Sequence, residues 1–205
     1  NGVEWPVTWT SVTTWTARVV VGAGINTLTV AAYDRNGSVV PGASTVLTVN
    51  NTGSVPLPMG QIVINEIQAN PWVADAQYIE LYNLSAAAAF DLSGWRFNGL
   101  DYTFPAGSYL GARSYLVLVK DRVAFNSAHG IGVVPFGEYG GNLQLNGETV
   151  TLIKPGLTPA GDVEVAKVRY EGVAPWPATG ISHSSLQLVD ATRDNWRLGN
   201  WLAPT

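Results

Sequence analysis

The strictest constraint on the fold is the alternation of residues in the segment YIELYN, which spans residues 78–83. Successive side chains of an extended strand point to opposite faces, so Ile79 and Leu81 share one face. Tyr78, Glu80 and Tyr82 share the other face. A period of two is typical of a strand with one buried side. The segment therefore predicts a half-buried strand.

A second strand is predicted by the run IVINEI at residues 62–67. This run is so rich in apolar residues that its alternation does not identify the inward face. Between the two runs, Asn70, Pro71 and Trp72 are typical of a turn. We expect the two strands and their long loop to open a β-sandwich.

The rest of the chain has the same character. No segment shows sustained 3.6-residue periodicity, so we predict an all-β fold. Asn-Gly pairs at residues 98–99 and 146–147 predict two hairpins, the first with a two-residue turn. The apolar residues of 163–170 change phase, which predicts a β-bulge near residues 166–167. A closing strand is expected at residues 186–188.

The chain is predicted to have three parts: residues 1–50, a linker at 51–60, and a β-domain at 61–205. The linker contains two prolines and no periodicity, which indicates a semi-rigid connection. Residues 1–50 contain alternation for about half of an immunoglobulin-like sandwich, which needs about seven strands and ~100 residues. We interpret the start at Asn1-Gly2 as a cut through that domain.

An isolated half-sandwich exposes an apolar face and open strand edges. We therefore expect Val19, Val21, Leu28 and Val30 to be buried against something outside residues 1–50. The candidates are the remaining half of the N-terminal domain, another chain, or the second domain.

Two motifs resemble a known family. INEI at residues 64–67, followed by YIELYN at 78–83, resembles the opening of a lamin tail domain. The run SLQL at 185–188, with Asp190 and the pair at 195–196, resembles the motif that closes bacterial members of that family. The resemblance covers about residues 61–200 and implies an immunoglobulin-like β-sandwich without catalytic residues.

The N-terminal part carries a resemblance of its own. The pattern of apolar residues, glycines and turn residues from Trp15 to Gly37 resembles the C-terminal half of bacterial immunoglobulin-like repeats. In bacteria, lamin tail domains resemble accessory modules beside such repeats and diverse extracellular enzymes. The fold class that we predict is therefore an immunoglobulin-like β-sandwich preceded by a partial immunoglobulin-like β-domain.

Composition restricts the class of protein. Only 13% of the 205 residues are charged, the net charge is -4 and there is no basic run, so no nucleic-acid partner is expected. No apolar segment has membrane-spanning length, so no membrane insertion is expected. Cysteine is absent, which excludes disulfides and thiolate chemistry. Low charge without cysteine favours a secreted or cell-surface bacterial protein.

Candidate catalytic and metal-binding groups are few. His183 lies among serines, but no Gly-x-Ser-x-Gly elbow occurs, and we predict that the chain is not an enzyme. Glu66, Asp75 and Glu80 could converge on a weak calcium site. We favour the alternative that Glu66 and Glu80 are solvated or paired with arginines. No metal and no cofactor are expected.

The eight tryptophans are the unusual feature of the composition. Trp15 and Trp95 alternate with apolar neighbours, so both are expected in the core, and Trp196 is expected to pack at an edge. Trp72 and Trp176 lie beside prolines in loops, where a stiff backbone would present a rigid aromatic face. These two are the candidate ligand-binding residues. The alternative is that each closes one end of the sandwich.

Two functions remain open. The leading hypothesis is a non-catalytic interaction or attachment module of a larger secreted or cell-surface bacterial protein, whose partner is a protein or polysaccharide surface. The alternative is a carbohydrate-binding module that uses loop aromatics and accompanies an extracellular enzyme. An exposed coplanar pair of tryptophans would favour the alternative, whereas a cleft with paired carboxylates would favour an enzyme.

Overall fold

The structure is a computed structural model that describes residues 2–179 and 183–204. The all-β prediction is confirmed, since strands make up 40% of the chain and helices 7%. Within the described ranges, no helix is long and apolar enough to cross a membrane.

The described elements are sixteen strands, one α-helix and two short 3-10 helices. The strands are β1 (Val7–Trp9), β2 (Trp15–Ala17), β3 (Gly24–Tyr33), β4 (Val39–Asn51), β5 (Ile62–Gln68), β6 (Tyr78–Asn83), β7 (Phe90–Asp91), β8 (Arg96–Asn98), β9 (Tyr102–Thr103), β10 (Tyr109–Leu110), β11 (Tyr115–Val119), β12 (Gly137–Glu138), β13 (Gly147–Lys154), β14 (Val163–Glu171), β15 (Leu186–Leu188) and β16 (Trp201–Leu202). The helix α1 spans Arg122–His129, and the 3-10 helices span Pro159–Gly161 and Leu198–Asn200.

Two sheets form the sandwich. One has the order β12-β11-β6-β5-β15-β16 and the other has the order β14-β13-β8-β9. Apolar side chains from the inner faces of both sheets fill the space between them, as is usual in β-sandwiches. The buried core includes Ile64, Ile67, Ile79, Leu81, Leu118, Phe97, Val150, Leu152, Val168 and Tyr170.

A bulge in β5 decides which side of this strand faces the core. Ile64 and Glu66 lie opposite residues 80–81 of β6, and Asn65 between them has no partner. The extra residue shifts the alternation by one position. Ile64 and Ile67 are therefore both buried in the core, while Glu66 lies beside Glu80 on the outer face.

The helix α1 was not expected from the sequence. Asp121 caps its N-terminus by accepting a hydrogen bond from the Ala124 backbone N–H over 2.7 Å, and Gly130 ends it with a φ of 76°. Phe125 is its buried residue. Eight residues are only about two turns, which is too short to display a 3.6-residue period. The aspartate before the helix and the glycine after it were the available signals.

The hairpin expected at residues 98–99 exists, but its turn is longer than predicted. The last pair between β8 and β9 joins Phe97 to Tyr102, so four residues, 98–101, lie between the paired positions instead of two. Leu100 is fully buried, and Asp101 has a φ of 51°. The burial of Leu100 accompanies the longer turn.

The second expected hairpin, around residues 146–147, is not formed. Residues 143–145 are not a strand, because the side chain of Gln77 takes both backbone groups of Leu143. Gln77 Nε2 donates to the Leu143 carbonyl over 2.9 Å, and the Leu143 N–H donates to Gln77 Oε1 over 3.0 Å. β13 pairs instead with β14 and β8.

The β-bulge predicted near residues 166–167 is confirmed in β14, one residue earlier than predicted. Opposite Leu152 and Ile153 the register shifts from Ala166 to Glu164, so Val165 has no partner. The closing strand predicted at residues 186–188 is also confirmed as β15, which pairs with β5.

The N-terminal part is a ribbon of strands with little burial. β3 and β4 form a two-stranded antiparallel sheet, and Asp34 Oδ1 organises their turn by accepting from the N–H groups of Asn36 and Ser38. Residues 2–51 contain no buried residue. They touch the sandwich at Gly107, where a Cβ would overlap Pro6.

One prediction about this part needs correction. Trp15 is not in the core, because it is 39% exposed opposite Trp9 in the three-residue pair β1–β2. Val19, Val21, Leu28 and Val30 are partly exposed in the described chain, and their burial against something outside residues 1–50 stays a prediction. The division of the chain into residues 1–50, a linker at 51–60 and a β-domain at 61–205 stays a prediction.

Candidate functional site

Trp72 lies at the tip of the loop between β5 and β6. Its side chain is 81% exposed, and its ring meets the ring of His183 edge-on, with the centroids 4.9 Å apart. His183 Nδ1 lies 3.1 Å from the Asn70 carbonyl oxygen. Asn70 Nδ2 donates to the Thr179 carbonyl over 3.3 Å. The exposed tryptophan is therefore supported by contacts from a distant part of the chain.

Gln68 also helps to hold the loop around Trp72 in place. It is almost fully buried, and its Nε2 donates to the His183 carbonyl over 2.7 Å. Its Oε1 accepts from the Asn70 backbone N–H over 3.2 Å. His183 itself has a φ of 51°, a conformation that non-glycine residues rarely adopt without such support. The loop is held in one arrangement, so a partner that binds Trp72 loses little conformational entropy there.

The described serines next to His183, Ser184 and Ser185, do not form a catalytic triad with it. Ser185 donates to Glu66 Oε1, and Ser184 donates to the Pro204 carbonyl. Ser182 lies outside the described residues. Neither described hydroxyl is bonded to the imidazole, which a serine nucleophile with a histidine base would require.

Trp176, the second tryptophan predicted to bind a ligand, has a different setting. It is partly buried and packs against the core, and its ring centroid lies 6.2 Å from that of Trp201. Among the ring contacts of the described residues, none joins Trp176 to Trp72. The two residues do not form a coplanar pair.

Glu66 and Glu80 lie side by side on the outer face of the six-stranded sheet. Glu66 Oε1 accepts hydrogen bonds from Tyr78, Ser185 and Gln187, with Tyr78 Oη at 2.5 Å. The prediction that these glutamates are solvated or paired with arginines is wrong in part: both are partly buried among neutral donors, and neither has an arginine partner among the described ion pairs. The burial of their strands and the covering helix account for the difference.

Burial raises the pKa of Glu80, and the nearby Glu66 carboxylate adds to this effect, although the hydrogen bond from Asn65 Nδ2 opposes it. Burial and the Glu66 charge also raise the pKa of Tyr78. The Tyr78 ring is covered by Phe125 and His129 of α1, at centroid distances of 5.5 and 5.3 Å. The carboxylate pair is therefore part of a sheltered structural network.

Asp75 does not join this pair. It is exposed in the loop before β6, with a φ of 62°. Within residues 2–179 and 183–204, no three histidine, cysteine, aspartate or glutamate side chains are grouped so that they could hold a metal ion. The geometry of the described residues thus offers no calcium site at Glu66, Asp75 and Glu80.

A surface groove of about 410 Å³ lies on another part of the sandwich. It runs between the start of β5, the edge strand β14 and the loop that connects β15 to β16. Its lining includes Trp196, Lys167, Glu164, Val165, Arg193 and Asp194. Trp196 is 50% exposed, and Lys167 Nζ lies 5.7 Å from the centre of its ring. We refer to this feature as the Trp196 groove.

The loop that forms one wall of the Trp196 groove is fixed by a reciprocal pair of hydrogen bonds. The Asp190 N–H donates to Asn200 Oδ1, and Asn200 Nδ2 donates to the Asp190 carbonyl, each over 3.0 Å. Asn200 is buried. Trp201 Nε1 donates to the Asn195 carbonyl over 2.8 Å, and Asp194 Oδ1 accepts from the Trp196 N–H over 2.9 Å. These bonds set the position of the Trp196 backbone.

Each charged side chain of the groove has an oppositely charged neighbour. Lys167 pairs with Glu164 at 3.2 Å, Arg193 pairs with Asp190 at 3.1 Å, and Asp194 pairs with Arg197 at 3.6 Å. The pKa of Asp190 is lowered, first by its hydrogen bonds from Thr192 and then by the Arg193 charge. Such exposed pairs add little stability. Their effect is to leave the groove polar without an excess of either charge.

This groove was not predicted from the sequence, because Trp196 was expected only to pack at an edge. Its walls come from three separate segments: the start of β5 lies about 100 residues before β14, and the loop after β15 lies about 25 residues beyond β14, so no local pattern reveals the groove. The recurrence of Asp190 and Asp194 two residues before backbone donors was an available signal, since aspartate side chains often organise turns in this way.

Comparison with known families identifies the sandwich. A family model of the lamin tail domain matches residues 56–172, which is more than half of the chain. The matched region includes Trp72 and the pair of glutamates, and it ends before Trp176 and the C-terminal wall of the Trp196 groove. No curated protein matches the chain.

Proposed function

Because the chain belongs to the lamin tail domain family, we propose that it is a non-catalytic attachment module of a larger secreted or cell-surface bacterial protein. The family is an immunoglobulin-like module of non-enzymatic type. The observation that carries the proposal is the exposed Trp72, supported from beneath by His183. Its partner is a protein or polysaccharide surface.

The chemistry of Trp72 suits this role. A tryptophan offers a large apolar face and one hydrogen-bond donor, and such residues dominate the binding energy of many interfaces. The loop around Trp72 is already ordered, so binding does not have to fix it. Trp176 contributes only its exposed part, because its side chain is partly buried against the core and lies next to Trp201.

The ribbon of β3 and β4 forms a second interaction surface in this proposal. It exposes Ile25, Val46, Leu47 and Val49, and one edge of each strand is unpaired. Exposed apolar patches and open strand edges mark surfaces that associate with other chains. The cover is the remaining half of an immunoglobulin-like domain or another chain.

A second candidate function is carbohydrate binding beside an extracellular enzyme. The loop residues Trp72 and Trp176 suggested carbohydrate binding from the sequence, and a surface feature that the sequence did not predict now favours it. The Trp196 groove combines an exposed aromatic ring with a rigid polar wall.

The attachment proposal is tested by sedimentation with isolated bacterial cell envelopes. Fluorescently labelled protein is mixed with envelopes from Gram-positive and Gram-negative cells, and the bound fraction is measured. We expect Trp72→Ala to weaken binding by roughly ten-fold, since a stacked aromatic is worth about 1–2 kcal/mol.

Leu157→Ala is the matched control, because Leu157 is a fully exposed apolar residue in the turn between β13 and β14. This variant should sediment like the unmodified protein. Equal sedimentation of the unmodified protein and the Trp72→Ala variant, or no sedimentation with any envelope, contradicts the proposal.

A further inference from the structure

We propose that the Trp196 groove binds an electrically neutral saccharide chain, with Trp196 as the stacking platform. This inference rests on the proposed function only in that the chain is a non-catalytic binding module. It assigns the ligand to a site that is separate from Trp72.

The aromatic ring provides the first part of the argument. Trp196 is 50% exposed and lines the groove, so about half of this large aromatic side chain is accessible to a ligand. Lys167 lies over the ring and is itself held by Glu164 at 3.2 Å. Sugar rings have faces of C–H groups that pack on flat apolar surfaces, and their hydroxyl groups point outward from the ring edge. An indole bordered by polar groups matches both parts of a sugar.

The polar wall provides the second part. Hydroxyl groups both donate and accept hydrogen bonds, and the groove presents both kinds of partner. Lys167 and Arg193 are donors, whereas Glu164 and Asp194 are acceptors. Each of these four side chains already has an ion-pair partner. A strongly charged ligand would therefore meet no uncompensated charge, whereas a neutral polyol can use both the donors and the acceptors.

The rigidity of the wall provides the third part. The Asp190–Asn200 pair of hydrogen bonds and the bond from Trp201 Nε1 to the Asn195 carbonyl hold the loop before any ligand arrives. Weakly binding ligands benefit most from such preorganisation, because little interaction energy is lost in ordering the site. A hydrogen-bonded loop next to an aromatic ring is suited to a ligand with many small contacts.

The dimensions agree with a short stretch of sugar chain. The groove volume of about 410 Å³ lies at the small end of the range for ligand sites. The groove is formed at the surface between two strands and a loop. A longer polysaccharide could therefore contribute a few sugar units to the groove and continue beyond it.

An extended peptide is the competing occupant, because β14 is an edge strand and edge strands can accept an additional strand. The bulge at Val165 argues against it. Val165 lines the groove and has no partner in the register with β13. A bulge interrupts the regular spacing of backbone donors and acceptors along an edge, which makes strand addition unfavourable.

The test is isothermal titration of the full chain with neutral oligosaccharides, namely the hexamers of cellulose, chitin and xylan. We expect at least one of them to bind, and Trp196→Ala to weaken that binding by about ten-fold or more. Trp196→Phe should retain part of the affinity, because a smaller aromatic face remains. Melting curves of all variants verify that the fold is unchanged.

Trp9→Ala is the matched control, since Trp9 is an exposed tryptophan outside the groove. It should leave oligosaccharide binding unchanged. Attachment to envelopes is tested by Trp72→Ala and oligosaccharide binding by Trp196→Ala, so failure of one proposal is distinguishable from failure of the other. The groove proposal is overturned if none of the hexamers binds or if Trp196→Ala binds as well as the unmodified protein. It is equally overturned if an extended-peptide library or a sulfated polysaccharide binds in a Trp196-dependent manner and the neutral sugars do not.

Discussion

Replacing the tryptophans one at a time separates binding residues from core residues. Trp95 is 4% exposed and lies in the core, Trp72 is 81% exposed, and Trp176 is partly buried against Trp201. The three alanine variants should therefore differ in their free energy of unfolding. The largest loss is expected for Trp95→Ala and the smallest for Trp72→Ala.

The magnitudes follow from the buried area. A tryptophan buries up to about 250 Å². At about 25 cal/mol per Å², the burial of Trp95 is worth roughly 6 kcal/mol, of which the alanine retains a part. Core substitutions of this type cost about 3–5 kcal/mol. The contact of Trp72 covers only about 50 Å², so its loss should cost about 1 kcal/mol.

Thermal unfolding followed by circular dichroism measures the difference. In a chain of this size, each kcal/mol lowers the melting temperature by about 2–4 °C. Trp95→Ala should therefore melt about 10 °C lower than the unmodified protein, and Trp72→Ala only about 3 °C lower. Trp176→Ala is expected to fall between them. If Trp72→Ala melts as low as Trp95→Ala, then Trp72 is a structural residue and the attachment argument fails.

Three further predictions concern pH, metal ions and the N-terminal part. The raised pKa of Glu80 means that the folded chain binds a proton more tightly than the unfolded chain, so stability should decrease as pH rises from the ordinary carboxyl range through that pKa. Glu80→Gln should remove this dependence and raise the melting temperature at pH 7, which thermal melts between pH 4 and 8 will measure. EDTA should leave the melting temperature unchanged, and a fall of several degrees would instead indicate a site at Glu66, Asp75 or Glu80. Residues 1–60 produced alone should be unfolded or aggregated, and a monomeric species with a cooperative melt would contradict this expectation.

Where a strand pairs regularly, the local sequence pattern was sufficient to predict which residues face the core. The alternation of β6 correctly separated Ile79 and Leu81 from Tyr78, because a period of two is a property of the strand itself. Residues 143–145 have the same alternation, but Gln77 takes the backbone groups of Leu143 from a position 66 residues away. A contact over that separation leaves no trace in the local pattern.

In the candidate sites too, features set by neighbouring residues could be predicted from the sequence, whereas features set by distant residues could not. The exposure of Trp72 could be anticipated, because the neighbouring Pro71 and the turn residues around it act locally. The partial burial of Trp176 depends on Trp201, and the Trp196 groove depends on β14 and β5. Those partners are defined only once the two sheets have packed together.

The bulge at Asn65 makes β5 tolerant of the loss of one residue at this position. Removing Asn65 would leave Ile64 opposite Leu81 and Glu66 opposite Glu80, which is regular pairing. Glu66 would stay on the outer face, and Ile67 would stay in the core. The contact that disappears is the hydrogen bond from Asn65 Nδ2 to Glu80 Oε1. A single-codon deletion at residue 65 is therefore expected to preserve both faces of the strand, although deletions inside strands usually invert them.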